Sequence, residues 1–279
     1  MDETQKAALV RRAAAIRKNI IEMLLHCTYG HLGGSMSIVE VLAVLYGGQL
    51  RHDPKNPQWA ERDYLVLSKG HAGPGLYSAL AQDGYFDPEM LKTLNRNGTL
   101  LPSHPDRQKT PGVDATTGSL GQGTSVAAGL GLGLQLRNAD RFVFLIVGDG
   151  ELNEGQCWEA FQFIAGRKLD RVVVYIDDNK RQLDGFTRDI VEPFDYVEKM
   201  RAFGFAAERV DGADVGAIWD ATDRAKARRG QPSCIVLDTV KGQGIKYFED
   251  MVDNHSVKFN DNDCKAAREA VSRLEDIIG

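Results

Sequence analysis

The sequence predicts an α/β fold that is doubly wound, with a mostly parallel sheet and helices on both of its faces. Two observations carry this expectation. Short β-type runs recur at Tyr64–Leu67, Phe142–Val147, Val172–Ile176, Ala207–Val210 and Cys234–Leu237, most of them separated by stretches whose apolar residues have helical spacing. Runs such as Phe142-Val143-Phe144-Leu145-Ile146-Val147 are apolar at every position, the pattern of a strand covered on both faces. In such a sheet ligands sit beyond the carboxyl ends of the strands, so the residues just after each run are the site candidates.

Ala7 to Cys27 has helical spacing, and Tyr29-Gly30-His31-Leu32-Gly33-Gly34-Ser35 breaks it with a glycine-rich loop. Ser37-Ile38-Val39-Glu40 has the form of a capping box and predicts the start of the next helix. Gly121 to Leu136 is helical in spacing yet contains Gly129, Gly131 and Gly133. Each glycine inside a helix costs about 1 kcal/mol relative to alanine, so close approach of another backbone is expected, from the same chain or across a subunit interface. A helical tail is expected at about 261–278. No repeat, low-complexity tract or proline-rich linker divides the chain, so residues 1–279 are expected to form a single domain.

With 279 residues and 43% apolar content the chain can bury a substantial core. A net charge of -5 gives no general pull toward nucleic acid or an anionic membrane; neither is an expected partner, and any anion must be held locally. Cys27, Cys157, Cys234 and Cys264 form no C-x-x-C pair and no zinc spacing, which predicts reduced thiols and a cytoplasmic location. The start Met1-Asp2-Glu3 lacks the basic and apolar run of a signal peptide. Lys226, Arg228 and Arg229 read as a solvated helix end, and His52 as a surface residue.

Two strand-to-helix turns carry the chemistry. Gly148-Asp149-Gly150-Glu151-Leu152-Asn153-Glu154-Gly155 follows one strand, and Asp177-Asp178-Asn179 follows the next. Both open at the same sheet edge, so Asp149 and Asn179 can converge. Mg²⁺ takes a near-octahedral set of oxygens at about 2.1 Å, commonly one or two carboxylates plus ligand phosphates. Gly148 and Gly150 remove side chains where a diphosphate would meet backbone, and the helix near Gly155 would turn its N-terminal amides toward negative charge.

This arrangement resembles the thiamine-diphosphate motif, in which G-D-G is followed one strand later by Asn. The resemblance covers nearly the whole chain and is to the N-terminal domain of transketolase. It runs in order through Gly30-His31-Leu32-Gly33-Gly34-Ser35, Leu67-Ser68-Lys69-Gly70-His71, Ser103-His104-Pro105, Thr117-Gly118-Ser119-Leu120-Gly121-Gln122-Gly123, the two turns above, and Asp253-Asn254-His255. Leu32 and Ser119 stand where many relatives carry proline.

The resemblance implies that Asp149, Asn179 and the main-chain carbonyl of Arg181 hold Mg²⁺. It implies that Gly150, His71 and His255 contact the diphosphate, and that Gly118, Ser119 and Leu120 line the ring region of thiamine diphosphate. Leu183 is either an apolar contact to the rings or a core residue. Glu154 either favours a helix N-terminus through the macrodipole or, as the resemblance implies, links paired active sites at a subunit interface. His31, His104 and His255 are the candidates for holding a ketose and shuttling protons, since imidazole donates, accepts and titrates near neutral pH.

The implied activity is transfer of a two-carbon ketol unit from a ketose or ketose phosphate to an aldose. A glutamate from a second, pyrimidine-binding domain completes the site in this family, so a separate C-terminal subunit in an α₂β₂ assembly is the expected partner. Rival readings are deoxyxylulose-phosphate synthase and the α chain of a ketoacid dehydrogenase; the Gly118–Gly123 run and the late Asn254-His255 favour transketolase. A non-catalytic cofactor-binding subunit is disfavoured by the histidine set. A dinucleotide-binding Rossmann domain is excluded, because Val126 stands where the third glycine after Gly121-Gln122-Gly123 belongs.

Overall fold

The computed structural model describes residues 1–279. Its strands are β1 (Tyr29–His31), β2 (Tyr64–Leu67), β3 (Val143–Gly148), β4 (Val172–Asp178), β5 (Arg181–Gln182), β6 (Gly185–Phe186), β7 (Ala206–Asp211), β8 (Ser233–Asp238) and β9 (Ser256–Lys258). Its helices are α1 (Glu3–Cys27), α2 (Gly33–Met36), α3 (Val39–Val44), α4 (Gly73–Gln82), α5 (Gln122–Leu136), α6 (Gly155–Gly166), α7 (Thr187–Ile190), α8 (Tyr196–Ala202), α9 (Val215–Ala227), α10 (Lys246–Asp250) and α11 (Asp261–Ile278). No helix is long and apolar enough to cross a membrane.

The five apolar runs form one parallel sheet in the order β2-β3-β4-β8-β7. Because side chains alternate along a strand, the apolar runs feed two cores. Phe144, Ile146, Val173, Tyr175, Ile235 and Leu237 pack with α1, α3, α4, α9 and α11. Val143, Leu145, Val147, Val172, Val174, Ile176 and Val236 pack with α5, α6 and α8. The helix after β2 therefore covers one face and the helix after β3 the other, so a crevice opens between their carboxyl ends.

Several local expectations are overturned by longer-range partners. The capping box at Ser37 does not form: Ile38 caps α3 without a side-chain bond. The Ser37 hydroxyl donates to Asp177 at 2.7 Å, and Glu40 pairs with Arg17 at 2.5 Å. The expected loop at Tyr29–Ser35 contains β1, which pairs antiparallel with β9 and sets His31 opposite Ser256. His52 is mostly buried rather than a surface residue, bonded to Asp83 and to the Leu50 carbonyl. Lys226 is not simply solvated, since its ammonium donates to the Gln49 carbonyl at 2.8 Å.

The glycines of α5 divide into two kinds. A Cβ on Gly131 would lie 2.5 Å from Cγ2 of Val172, whereas a Cβ on Gly129 or Gly133 would meet nothing within 4 Å. The tight approach is thus to a strand of the same chain, and the opposite face of α5 carries the exposed Val126 and Leu136. Gly129→Ala is expected to stabilise the isolated chain by about 1 kcal/mol through helix propensity. Gly131→Ala is expected to destabilise it, by about 1–3 kcal/mol of overpacking set against that gain. Urea unfolding of both variants checks this, and a stabilised Gly131→Ala would show that the contact with β4 is not tight.

Candidate active site

Four turns meet beyond the carboxyl edge of the sheet: Lys69-Gly70-His71 after β2, Gly148-Asp149-Gly150 after β3, Asn179-Lys180-Arg181 after β4, and the Thr239–Gly244 loop after β8. The β1–β9 ribbon closes one side and delivers His31 and His255. Between them lies a cleft of about 270 Å³. It is lined by His31, His71, His104, His255, Gly118, Leu120, Gly148, Asp149, Gly150, Asn179, Arg181 and Leu183, which the sequence singled out, and by Lys69, Glu151, Gln182 and Lys241, to which it gave no role.

Ser119 and Glu154 are exposed and do not line the cleft. Glu154 occupies the N-cap of α6 without a side-chain capping bond. Gly155 is also outside the lining, so α6 does not aim its amides into the cleft as expected; the 3₁₀ turn Gly150–Asn153 stands in between. Gly150 sits where side chains are excluded, since a Cβ there would fall 2.6 Å from Cβ of Gln182.

Asp177 organises the floor. Its carboxylate accepts hydrogen bonds from Ser37 Oγ at 2.7 Å, Lys69 Nζ at 2.5 Å, Asn179 Nδ2 at 2.8 Å and Thr239 Oγ1 at 2.5 Å. Burial alone would raise this carboxyl, but the Lys69 ammonium and the donated hydrogen bonds outweigh it and hold Asp177 below the ordinary carboxylate range. Because the Asn179 amide nitrogen is taken by Asp177, its oxygen is left on the opposite side, where it accepts from the Arg181 amide at 3.1 Å. Glu151 ties the edge together, accepting from Ser68 Oγ at 2.5 Å, from the Gly121 amide at 2.9 Å and from the Gly148 amide at 3.1 Å.

Asp149 differs from Asp177 in forming no ion pair, the nearby Lys241 ammonium acting on it only at longer range. It accepts from the Gly150 amide at 2.8 Å and from Thr187 Oγ1 at 3.1 Å, and it is fully buried. Burial and the nearby Asp177 and Asp178 push its carboxyl up to about 7. A buried carboxylate beside two others calls for a cation. No group of three His, Cys, Asp or Glu side chains stands ready to hold a metal, so a metal here would draw on this one carboxylate, amide and main-chain oxygens and the ligand itself, the donor chemistry of Mg²⁺.

The histidines form one cluster, with His31 ring centroids 5.7 Å from His71, 5.6 Å from His104 and 5.4 Å from His255, and His71 4.7 Å from His255. Burial, then His104 and Lys241, lower His31 to about 4; burial, then Lys241, His31 and Lys69, lower His255 to about 4. His71 and His104 are lowered as well, chiefly by burial. All four are therefore neutral at pH 7, able to donate at one ring nitrogen and accept at the other. Lys241 Nζ lies 3.1 Å from His255 Nδ1; an ammonium only donates, so Nδ1 accepts and the proton of His255 is on Nε2.

A crevice at the carboxyl edge of a parallel sheet, with glycine turns, an uncompensated buried acid and neutral imidazoles, defines an α/β coenzyme-binding domain. The family model described as "Transketolase, thiamine diphosphate binding domain" matches residues 9–273. The chain is 48% identical to the 6-deoxy-6-sulfo-D-fructose transketolase subunit of Clostridium sp. (strain MSTE9), over 97% of this chain and 98% of the relative. It is 38% identical to an apulose-4-phosphate transketolase subunit of Actinobacillus succinogenes, over 86% of this chain and 87% of the relative. The crystal structure of transketolase from Campylobacter jejuni superposes with a TM-score of 0.85 at 28% identity, covering all of this chain and 46% of that one. The chain thus belongs to the transketolase family, as its thiamine-diphosphate-binding domain, and spans less than half of the solved transketolases it matches.

Two outcomes follow from the site's electrostatics. Lys69→Met leaves Asp177 buried without its ion-pair partner and is expected to destabilise the chain by about 3–5 kcal/mol, read by urea unfolding; a loss under about 1 kcal/mol would mean that the pair does not hold the floor. For His31 the folded value, about 4, lies below the unfolded value of about 6.5. Its contribution is therefore intact above the unfolded value and drains as pH falls toward the folded one. His31→Asn is expected to flatten the decline in unfolding free energy on acidification across that window, and a parallel decline in both proteins would contradict it.

Proposed function

We propose that this chain is the coenzyme-binding subunit of a two-chain transketolase that moves a two-carbon ketol unit from a ketose to an aldose with thiamine diphosphate and Mg²⁺. The observation that carries this reading is the convergence of Asp149, Asn179 and the Arg181 backbone with four neutral histidines on one cleft. Residues 1–279 act in it as one coenzyme-binding unit. When bound, thiamine diphosphate supplies the nucleophilic carbon and the electron sink for carbon–carbon bond cleavage.

The chain's own groups have separable tasks. Asp149, the Asn179 amide oxygen and the Arg181 carbonyl hold Mg²⁺, which relieves the crowding of Asp149 by Asp177 and Asp178. Gly150, His71 and His255 meet the diphosphate, and Gly118, Leu120 and Leu183 flank the rings. His31, His104 and the Nε2–H of His255 hold sugar hydroxyls and exchange protons with them, for which neutral imidazoles are suited.

Relatives of matching length are named as subunits, which supports a separate C-terminal partner, and α₂β₂ pairing gives the exposed Glu154 and the outer face of α5 a role at its interfaces. Four free thiols support a reducing, cytoplasmic setting. The relative at 48% identity is named for 6-deoxy-6-sulfo-D-fructose, which makes that ketose the first donor to assay.

Asp149→Ala is expected to abolish Mg²⁺-dependent uptake of thiamine diphosphate in calorimetry while circular dichroism stays native. Unchanged affinity would remove Asp149 from the site. Ketol transfer is expected only on addition of the partner polypeptide, and robust transfer by the purified chain alone would refute the two-chain reading.

A further inference from the structure

The turn after β4 carries two of the groups proposed to hold the metal, the Asn179 side chain and the Arg181 carbonyl, and a single residue separates them. Lys180 takes φ +67, the left-handed conformation that is costly for a residue with a Cβ and that glycine adopts freely. Thr28, Asn138 and Lys168 also have positive φ, but they do so where helices end. Lys180 does so in the middle of the candidate metal turn, where such a conformation persists only if its surroundings hold it.

Both the side chain and the backbone of Lys180 are held. Its ammonium donates to the Asp178 carbonyl at 2.5 Å, to the Thr239 carbonyl at 3.2 Å and to the Asp238 carboxylate, which ties the turn to the ends of β4 and β8. An exposed ion pair by itself contributes little, so the two main-chain acceptors are what make this an anchor. The Lys180 carbonyl accepts from the Thr187 amide at 2.9 Å, and Thr187 Oγ1 in turn donates to Asp149 at 3.1 Å. The Asn179 amide oxygen accepts from the Arg181 amide at 3.1 Å, closing a side-chain turn around Lys180. Lys180 itself is exposed and does not line the cleft. Asn179, Arg181 and Asp149 thus all connect, through one peptide bond or through Thr187, to a residue outside the site.

We infer that Lys180 is a positioning residue for the divalent ion: its side chain holds the turn in the left-handed state that fixes Asn179, Arg181 and, through Thr187, Asp149 relative to one another before the ion binds. This rests on the coenzyme reading above. Lys180 supplies a backbone conformation and no ligand atom. Glycine adopts that conformation without needing an anchor, whereas methionine keeps the penalty of a side chain and loses the three acceptors.

The test compares the full chain with Lys180→Met and Lys180→Gly. Calorimetry reads the Mg²⁺ concentration that half-saturates uptake of thiamine diphosphate, and amide hydrogen exchange reads residues 179–187 in the unliganded chain. Lys180→Met is expected to raise the Mg²⁺ requirement about tenfold, the weight of the left-handed penalty once the anchor is gone, and to speed exchange at the Arg181 and Thr187 amides. Lys180→Gly is expected to stay within about threefold of wild type in its Mg²⁺ requirement. A lysine that acts through its charge alone would make the two variants equally poor, and that result overturns the inference. A wild-type Mg²⁺ requirement in Lys180→Met overturns it too, leaving the coenzyme reading intact; no uptake by wild type with Mg²⁺ sinks both.

Discussion

The carboxylate of Asp177, fully buried at the end of β4 and bonded to Lys69, is the interaction on which the candidate site depends. It joins residues that are far apart in the chain, namely Ser37, Lys69, Asn179 and Thr239. A buried ion pair gives little net stability compared with a well-packed apolar alternative, but breaking one leaves an unpaired charge in the interior. Its return here is positional: four turns that emerge from separate strands are held at one register, and the Asn179 amide is fixed with its oxygen on the side away from Asp177.

With that floor compensated, the charge left for ligands is concentrated in two groups. Asp149 and Lys241 are buried at the same cleft and neither forms an ion pair, although the charges of Asp149 and Asp177 favour the Lys241 ammonium. The histidines contribute the opposite property: burial keeps them neutral, so they can donate and accept hydrogen bonds without adding repulsion to the cationic side of the cleft.

The sheet explains why the site is where it is. Strands buried on both faces must be apolar throughout, so polar chemistry can begin only where each strand ends, and parallel strands end at the same edge. The helix after β2 and the helix after β3 leave on opposite faces, which opens the crevice there. The outer face of α5 shows the other side of this economy: Gly131 is required by contact with β4, while Gly129 and Gly133 are open toward the exterior, where Leu136 is 72% exposed.

The sequence by itself determined the five strands of the parallel sheet, the long helices and the residues after β3 and β4, because these follow from local periodicity and from an acid and an amide placed directly after apolar runs. It also determined the family, through motifs held in order along the chain. The tertiary structure alone decided the partners of Ser37, Glu40, His52, Lys69, Glu151 and Lys241, which are mostly distant in sequence. Ser37 and Glu40 have the local signature of a helix cap, yet a buried carboxylate and a buried guanidinium compete more strongly for them than a backbone amide does. Pairing of β1 with β9 was likewise invisible, since strand complementarity across the length of the chain leaves no short-range pattern, and it is that pairing which carries His31 and His255 to the same cleft.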